Sequence, residues 1–536
     1  MVTAVLNIKA FMKKELGSKK VYITIMIAII VLQMIAAFYF CTQKQGCHYD
    51  EYYSYYSSNV TSGLIPTDNA WMNSEEIRNE FMVTDGMGFE YGMVKLMQTY
   101  DVHPPLYYFV LHTVCSLTKN IFSLWQGLGI NLFFFLLTIL MIWKVSDLIG
   151  ENQYINIFAV ALYGFSPANI SGVTFIRMYM MLTFMCMVSI YLHIRALKRG
   201  EYGWKNLYLP VLISTFLGFM THYYFAVFMF FTAAYVSIFL FIKKETRKQS
   251  FYYAASVIIG MALVVLVYPS CLGHIFRGYR GTEAIGAFVD AANLSERAGL
   301  FVGLLQEYVL CNTFYILLLV IILLAVTYFY KKKSAEEFVN KSALWLVIVV
   351  TAGYFLVVLK TALTNAEEAI RYEMPIYGLL ILLIVLAVFG FAGSLISRNE
   401  IGLKAAAVLL MIAVVLQIMG LMSDKVLFLY KGDSVDYAWA DEHADDPIVY
   451  IYNYENQWMI WDDSIELMKY DRIFFIDMNN EDEITDSDVR NADRLYVFSV
   501  RSDKAAERIN SIVEANGYSS SRVVRELKYV DVYELQ

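Results

Sequence analysis

VYITIMIAIIVLQMIAAFYF, residues 21–40, is the stretch that decides the class of fold. Its roughly twenty consecutive apolar residues match the length that an α-helix needs to cross the hydrocarbon core of a bilayer. A basic flank, KKELGSKK (13–20), precedes it, and bulky aromatic residues stand where a cleavage site would need small ones. The stretch is therefore predicted to be an uncleaved first transmembrane helix.

The composition extends this prediction to most of the chain. Of the 536 residues, 58% are hydrophobic and only 17% are charged, whereas soluble domains carry roughly 25% charged residues. Long apolar runs repeat from residue 21 to residue 423. Residues 1–429 are therefore predicted to form a multi-spanning membrane domain.

Clusters of lysine and arginine predict the topology, because cytoplasmic loops collect positive charge. The clusters are Lys13/Lys14/Lys19/Lys20, Arg195/Lys198/Arg199, KKETRK (243–248), KKK (331–333) and Arg398 with Lys404. Placing all of them inside gives eleven spans: 21–40, 124–146, 154–169, 173–197, 207–220, 222–242, 251–269, 311–330, 342–360, 375–397 and 402–423. The N-terminus is then cytoplasmic and the C-terminal part is outside.

One apolar segment, 104–118, does not fit this count. It has about fifteen residues, against the ~20 that a span needs, and a crossing there would place the later basic clusters outside. It is predicted to lie on or dip into the outer face, within a first outer loop (41–120) that carries juxtamembrane helices. A second outer loop is predicted at 270–310.

The C-terminal part has the opposite charge. From Lys431 to Gln536 there are 24 acidic and 11 basic residues, a net charge of −13, so residues 1–430 carry +6. PIVYIYNY, RIFFIDM, RLYVFSV and YVDVYEL read as strands, and 503–518 reads as a helix that stops at Gly517. Residues 430–536 are predicted to be a small α/β domain with a mostly parallel sheet, and nucleic acid is excluded as a partner by the charge distribution.

The predicted fold class is thus a polytopic α-helical membrane protein with about eleven transmembrane helices and a small extracytoplasmic α/β domain. The cysteines form no CxxC pair. Cys41 with Cys47, or Cys271 with Cys311, can bridge in an oxidising compartment, and the sequence leaves these pairings open.

The first candidate site residues are the acids of HYDEYYSYY (48–56). Asp50 and Glu51 open the long first outer loop, and the tyrosines after them predict an amphipathic helix at the interface. A partly desolvated carboxylate there is suited to act as a general base. The alternative is a solvated acidic pair.

DVHPPLYYFVLH (101–112) is the second candidate. Pro104 forces His103 out of the helical region, and Pro105 suits the first turn of a helix. Asp101, two residues earlier, is placed to fix the tautomer of His103 or raise its pKa. The alternative is a capping histidine without chemistry.

Three further motifs pair a basic residue with an aromatic one at predicted helix ends. FIRMYMML (175–182) contains Arg177, FMTHYYFAVF (219–228) contains His222, and AIRYEMPIYG (369–378) contains Arg371. Guanidinium groups suit phosphate, although snorkelling to lipid headgroups is an alternative for arginine. Arg277, Arg280 and Arg297 in the second outer loop are weaker candidates.

The topology places Asp50, Glu51, Asp101, His103, Arg177, His222 and Arg371 at one depth, at the outer membrane surface. Ionisable groups that converge beside a bilayer are usually functional. The chain contains no Walker A loop, no dinucleotide-binding finger, no nucleophile elbow and no zinc spacing. A divalent metal is possible at Glu51, Asp101, His103 or His222, but the spacing does not demand one.

These motifs together resemble the GT-C membrane glycosyltransferases. The resemblance rests on DE in the first outer loop, D-x-H-P-P-L-Y-Y about fifty residues on, R-M-Y, T-H-Y and R-Y-x-x-P, and it covers about residues 20–400. The closest group is family 39, which includes protein O-mannosyltransferases and bacterial polyprenyl-phosphate-dependent transferases. The chain departs from the family's S-Q-E-A-R-M-Y, because Thr174 and Phe175 stand where an acid is common.

The resemblance implies an inverting transferase in a bacterial plasma membrane, with its active site on the extracytoplasmic face. Its donor would be a polyprenyl-phosphate sugar, and its acceptor a hydroxyl of a cell-wall polymer, glycolipid or protein. Asp50 would be the catalytic carboxylate, with Glu51 beside it. The implied substrate-binding residues are Asp101, His103, Tyr107, Arg177, Tyr179, His222, Tyr223, Arg371 and Tyr372.

Two other classes of protein remain open. A transporter or flippase of a lipid-linked or anionic substrate would also place ionisable groups in a membrane cavity, although it should bring them to the midplane, often in matching repeats. A receptor with a C-terminal sensor domain would tolerate the loss of the outer acids.

Overall fold

A computed structural model describes residues 19–289, 294–330, 340–362, 366–395, 399–480, 484 and 486–536. Lys13, Lys14, KKK (331–333) and Arg398 of the predicted cytoplasmic clusters lie outside these residues. The chain divides into two compact units. We call the first, which contains Gln98–Tyr107, Gly127–Leu427 and the residues up to Thr42, the helical unit, and the second, which contains Gln43–Met97, Tyr108–Gln126 and Phe428–Gln536, the α/β unit.

Long apolar helices dominate the helical unit. Within the described chain, eight helices are long and apolar enough to cross a bilayer, and two bent helix pairs raise the number to ten if each pair is one span. The single helices are Lys19–Thr42, Leu124–Gly150, Tyr179–Arg199, Tyr224–Ile242, Lys244–Val267, Lys341–Thr361, Glu367–Ala392 and Ile401–Leu421. The bent pairs are Gln153–Gly164 with Pro167–Thr174, and Leu294–Val309 with Phe314–Thr327. These helices and the separate α/β fold confirm the predicted fold class.

Ten of the eleven predicted spans correspond to these helices and bent pairs. The span predicted at 207–220 forms the helix Leu209–Thr221, which has 13 residues and follows a π-helical turn at Trp204–Tyr208. Together with this turn it gives 18 continuous helical residues, about 27 Å at the rise of an α-helix, and it is not among the candidate spans. The segment predicted not to cross, 104–118, forms the 12-residue helix Leu106–Leu117. The segment predicted as the second outer loop contains the helices Ser270–Phe276 and Tyr279–Val289.

The first bent pair breaks at Pro167, and side-chain amides donate to carbonyl groups beside the break. Proline has no N–H to continue the helical ladder, and an unpaired carbonyl in hydrocarbon costs several kcal/mol. Asn169 Nδ2 donates to the Tyr163 carbonyl at 2.8 Å. Gln417 Nε2 donates to the carbonyls of Leu162 at 2.9 Å and Val309 at 2.7 Å.

Gln33 satisfies the same helix end from the first long helix. Its Nε2 donates to the carbonyls of Val160 at 2.9 Å and Ala161 at 3.3 Å. Gly164 permits this approach, because a Cβ there would lie 2.2 Å from Gln33 Cδ. Two distant parts of the chain, around Gln33 and Gln417, therefore contact one broken helix.

A six-stranded mixed sheet forms the centre of the α/β unit. The strands are β1 (Ala70–Asn73), β2 (Ile448–Tyr452), β3 (Arg472–Asp477), β4 (Leu495–Val500), β5 (Ser521–Glu526) and β6 (Val530–Leu535), in the spatial order β1-β3-β2-β4-β6-β5. Only β2 with β3 and β2 with β4 are parallel pairs. β2 and β4 are buried along their whole length, as expected for central strands.

The four predicted strands and the helix Asp503–Asn516, which ends at Gly517, are present. The prediction of a mostly parallel sheet is wrong, because β1 and β5 were not predicted and both pair antiparallel. β1 comes from the segment predicted as the first outer loop, so this segment and the C-terminal part share one sheet. The remaining helices of the unit are Tyr49–Asn59, Ser74–Asn79, Asp433–Glu442, Trp458–Asp462, Ser464–Leu467 and Ser487–Arg490, and Tyr91–Tyr100 ends beyond it.

Neither of the open cysteine pairings is formed in the described structure. Cys47, Cys271 and Cys311 are separate buried thiols.

We expect Gln417→Leu to destabilise the protein, because it removes the donor from two buried carbonyls. Each unsatisfied group costs about 1–3 kcal/mol, so the unfolding midpoint in detergent should fall by several degrees. Met419→Leu, on the same helix and 55% exposed, is the matched control and should leave the midpoint unchanged. An unchanged midpoint for Gln417→Leu would contradict the role of the amide.

Candidate functional site

The predicted site residues fall into two groups, one in each compact unit. The helical unit contains Asp101, His103, Tyr107, Arg177, Tyr179, His222, Tyr223, Arg371 and Tyr372, and the α/β unit contains Asp50 and Glu51. Each group is described by itself.

His103 lies between an acid and an arginine. Its Nδ1 is 3.2 Å from Asp101 Oδ2 and 3.5 Å from Arg177 Nη2. The two prolines that follow keep His103 outside the helix Leu106–Leu117. Burial raises the pKa of Asp101, but His103 and the Arg177 guanidinium outweigh it and lower that pKa to about 2. Asp101 is therefore ionised throughout the physiological range.

Arg177 lies in a short non-helical turn between two helices. The helix Pro167–Thr174 ends before it and Tyr179–Arg199 begins after it, and its side chain is only 4% exposed. Asn131 fixes the turn, since its Nδ2 donates to the carbonyls of Val173 at 3.1 Å and Phe175 at 2.6 Å. This turn directs a buried arginine away from the regular helix.

Arg371 is enclosed by aromatic rings. Its guanidinium carbon is 5.2 Å from the ring centroids of Phe175 and Tyr372 and 5.9 Å from that of Tyr179. The residue lies in the first turn of the helix Ile370–Leu395 and is 6% exposed. Aromatic faces stabilise a guanidinium through cation–π attraction, and its in-plane N–H groups remain the natural donors to an anion.

His222 lies in a region of positive electrostatic potential. It ends the helix Leu209–Thr221, and its ring centroid lies 5.7 Å from that of His103 and 5.5 Å from that of Tyr179. Burial lowers the pKa of His222, and the charges of His103, Arg177 and Arg371 lower it further. The imidazole is therefore neutral at physiological pH, among groups that favour an anion.

The helical unit thus brings Asp101, His103, Arg177, Tyr179, His222, Arg371 and Tyr372 together, and we call this set the arginine cluster. Tyr223 contacts a different group, because its hydroxyl is 2.8 Å from His274 Nδ1. Tyr107 is fully buried in the first turn of its helix. Sequence reasoning did not assign Phe175 or Asn131 to the site, and only the position of Phe175 two residues before Arg177 is a signal.

The weaker arginine candidates have other contacts. Arg297 donates to the carbonyls of Leu359 at 2.6 Å and of Ala362, which end the helix Lys341–Thr361. Arg280 pairs with Glu283 at 3.4 Å on an exposed helix. In the described chain, no group of three or more His, Cys, Asp or Glu side chains is placed to hold a metal ion.

In the α/β unit, Asp50 lies in the first turn of the helix Tyr49–Asn59. His48 caps this helix, since its Nδ1 accepts the Asp50 N–H at 3.1 Å. The Asp50 carboxylate lies 3.6 Å from the same nitrogen and is 23% exposed. The helix was predicted to lie at the membrane interface as an amphipathic element, but Tyr52 and Tyr55 are fully buried within the unit.

Glu51 has a different environment from Asp50. Its Oε2 accepts the His48 N–H at 2.7 Å and lies 3.0 Å from Lys44 Nζ. The side chains of Glu51 and Lys44 have no solvent exposure. Two neighbouring carboxylates thus differ: the Asp50 carboxylate is partly exposed, and Glu51 is bound in the interior.

No protein-family model matches the chain, and no characterised protein matches it by sequence. Solved structures are similar to it in fold. ArnT from Cupriavidus metallidurans bound to undecaprenyl phosphate is 11% identical over 95% of this chain and 97% of its own, with a TM-score of 0.49.

Two further solved structures are similar over smaller shares of their own lengths. The arabinosyltransferase EmbB from Mycobacterium smegmatis is 10% identical over 78% of this chain and 42% of its own, with a TM-score of 0.43. The oligosaccharyltransferase of Archaeoglobus fulgidus is 10% identical over 84% of this chain and 64% of its own, with a TM-score of 0.44. These three similarities are of fold alone.

Proposed function

We propose that the protein is an inverting membrane glycosyltransferase. It moves a sugar from a polyprenyl-phosphate donor to a hydroxyl of an extracytoplasmic acceptor, which is a cell-wall polymer, a glycolipid or a protein. The observation that carries the proposal is the arginine cluster, in which two buried guanidinium groups lie with His103 and His222 among aromatic rings.

The arginine cluster is suited to bind the donor phosphate. In the reaction the bond between the anomeric carbon and the phosphate oxygen breaks, and the leaving phosphate gains negative charge. Preorganised cationic groups in a site of low dielectric stabilise such charge without having to reorganise. Arg177 and Arg371 fill this role in the proposal, and His103 and Asp101 set the orientation of Arg177.

Asp50 is the proposed general base. Inversion requires the acceptor oxygen to attack the face of the sugar opposite to the phosphate, and a carboxylate takes the hydroxyl proton as the new bond forms. The partial exposure of the Asp50 carboxylate supports this role, because an acceptor has to reach it. No nucleotide takes part in this step.

We propose that the reaction takes place at the extracytoplasmic surface of a bacterial plasma membrane. The polyprenyl tail of the donor has to stay in lipid, so its phosphate is available only at the membrane surface. Basic clusters at 195–199 and 243–248 lie at the ends of the helices Tyr179–Arg199 and Tyr224–Ile242 that are farther along the chain from Arg177 and His222. Because cytoplasmic loops collect positive charge, these clusters support a cytoplasmic location for those helix ends.

Asp50→Asn should abolish sugar transfer, because an amide cannot accept the acceptor's proton. The measurement is transfer of radiolabelled sugar from a panel of polyprenyl-phosphate sugars by the purified protein, with the unfolding midpoint recorded in parallel. Asp441→Asn is the matched control, since this exposed residue pairs with Lys469 at the surface of the α/β unit. Transfer by Asp50→Asn at the wild-type rate would remove Asp50 as the base.

Arg371→Ala should weaken binding of the lipid phosphate more than binding of the acceptor. Loss of a charge-assisted hydrogen bond costs about 1.5–3 kcal/mol, which corresponds to a dissociation constant roughly 10- to 100-fold higher. Calorimetric titration in detergent with undecaprenyl phosphate, the lipid bound in the ArnT structure, measures this change. Arg472→Ala, a half-exposed arginine paired with Asp488, is the control, and an equal loss for donor and acceptor would argue against a phosphate site.

Single cysteines should show the topology in intact cells. A membrane-impermeant maleimide should label Lys119→Cys from outside, and it should label Lys244→Cys only after the cells are opened. Both positions are exposed, and the six native cysteines are buried, which keeps the background low. Labelling of Lys119→Cys only after lysis would reverse the proposed orientation.

A further inference from the structure

The turn that carries Asp50 is fixed by a buried ion pair. Lys44 precedes the helix Tyr49–Asn59 and Glu51 lies within its first turn, and their charged groups are 3.0 Å apart with no solvent exposure. Glu51 also accepts the His48 N–H, and His48 in turn accepts the Asp50 N–H. The backbone of Asp50 is thus linked to the pair through one intervening residue.

Lys44 connects the same turn to the start of the C-terminal part of the chain. Its Nζ donates to the Phe428 carbonyl at 2.7 Å and lies 5.1 Å from the centre of the Tyr430 ring. The neighbouring Gln45 N–H donates to the Leu429 carbonyl at 2.8 Å. Phe428 and Tyr430 have φ values of 64° and 49°, a left-handed conformation that non-glycine residues adopt only when surrounding contacts hold them.

Gly46 shows how closely these two segments approach. A Cβ at this position would lie 1.8 Å from Asp433 Oδ2 and 2.9 Å from Tyr430 Cβ. Residues 44–51 and 428–433 therefore pack closely against each other, and the buried ion pair lies between these two segments.

A buried ion pair of this kind is not explained by stability. The cost of desolvating two charges often equals or exceeds their attraction, so apolar residues of similar volume are commonly as stable. The pair instead fixes the geometry of the turn, because the hydrogen bonds of each charged group have a preferred orientation. Glu51 accepts a hydrogen bond from the His48 N–H, and Lys44 donates one to the Phe428 carbonyl.

We propose that Lys44 and Glu51 are a positioning pair for Asp50 and take no direct part in the reaction. This inference rests on the proposed role of Asp50 as general base. It assigns Glu51, whose carboxylate is already held by Lys44 and by the His48 N–H, to orienting the turn. Asp50 alone presents a partly exposed carboxylate to an acceptor.

Three variants test the pair: Lys44→Met, Glu51→Gln and the double variant. Each single variant leaves one buried charge without its opposite, so it should lower the unfolding midpoint and reduce kcat by up to about 100-fold through misplacement of Asp50. The KM for the lipid donor should stay unchanged, because the arginine cluster is intact. The double variant removes both charges and keeps the Gln oxygen for the His48 N–H, but it loses the hydrogen bond to the Phe428 carbonyl. It should therefore recover part of the stability and kcat that each single variant loses.

The pH dependence of kcat/KM separates an altered charge from a loss of folded protein. Loss of folded protein lowers the rate but does not move the acidic limb of the pH profile. Lys44→Met removes the cation near Asp50 and should move the acidic limb to higher pH. Glu51→Gln leaves the Lys44 cation and should move it to lower pH. The double variant should return the limb towards its original position. The other titratable groups near this turn are unchanged in all variants, and they include Cys47, His48, Tyr430, Asp433, Asp436, Tyr437, Asp462, Asp463, Glu466 and Lys528.

A folded double variant that remains as inactive as Glu51→Gln would show that Glu51 is itself a reaction group, and would overturn the proposal. Wild-type midpoints, kcat and pH limbs in both single variants would overturn it as well. An active Asp50→Asn would instead refute the proposed base, whereas the coupling between Lys44 and Glu51 in the unfolding midpoints is measured without any activity. The two failures are therefore distinguishable.

Discussion

The fold depends on one constraint: a polar group removed from water has to find its partner inside the protein. The broken helix at Pro167 shows its effect, because the carbonyls of Leu162 and Tyr163 beside the break each accept a hydrogen bond from a side-chain amide. Without Gln417 and Asn169 an irregular backbone at this depth would be too costly, since each unsatisfied group in hydrocarbon costs several kcal/mol. The amides therefore stabilise the break, and the helix that follows it, Pro167–Thr174, leads to the turn that holds Arg177.

The same constraint shapes the arginine cluster. A buried guanidinium needs donors satisfied or aromatic faces beside it, and Arg371 has three such faces. Asn131 holds the turn before Arg177 through two backbone carbonyls, so the arginine's position is set by packing and not by a helix. Cationic groups fixed in this way are preorganised for an anion, because the energy of orienting them is spent during folding.

Much of this was predictable from local sequence, and the rest was not. The apolar runs predicted ten of the spans, because length and hydropathy are local properties, and the His-Pro-Pro turn was predicted from the restrictions that proline places on its neighbours. The helix Leu209–Thr221 was predicted as a span at 207–220, but the apolar run did not predict the π-helical turn that precedes it. Gln33 and Asn131 were not singled out either, because their partners lie 127 and 42 residues away. β1 has only four residues and is defined by its pairing with β3. Its local sequence does not predict this pairing.

Phe175 shows how a departure from a family pattern can be consistent with the proposed chemistry. The family often has an acid shortly before R-M-Y, whereas this chain has Phe175, whose ring faces Arg371 at 5.2 Å. A carboxylate in that place would pair with the guanidinium and compete with a phosphate for its N–H groups. An aromatic ring stabilises the same cation from its face and leaves the in-plane donors directed elsewhere. Phe175 therefore contributes a ring to the aromatic surroundings of Arg371 and adds no carboxylate there, which suits the proposed phosphate site.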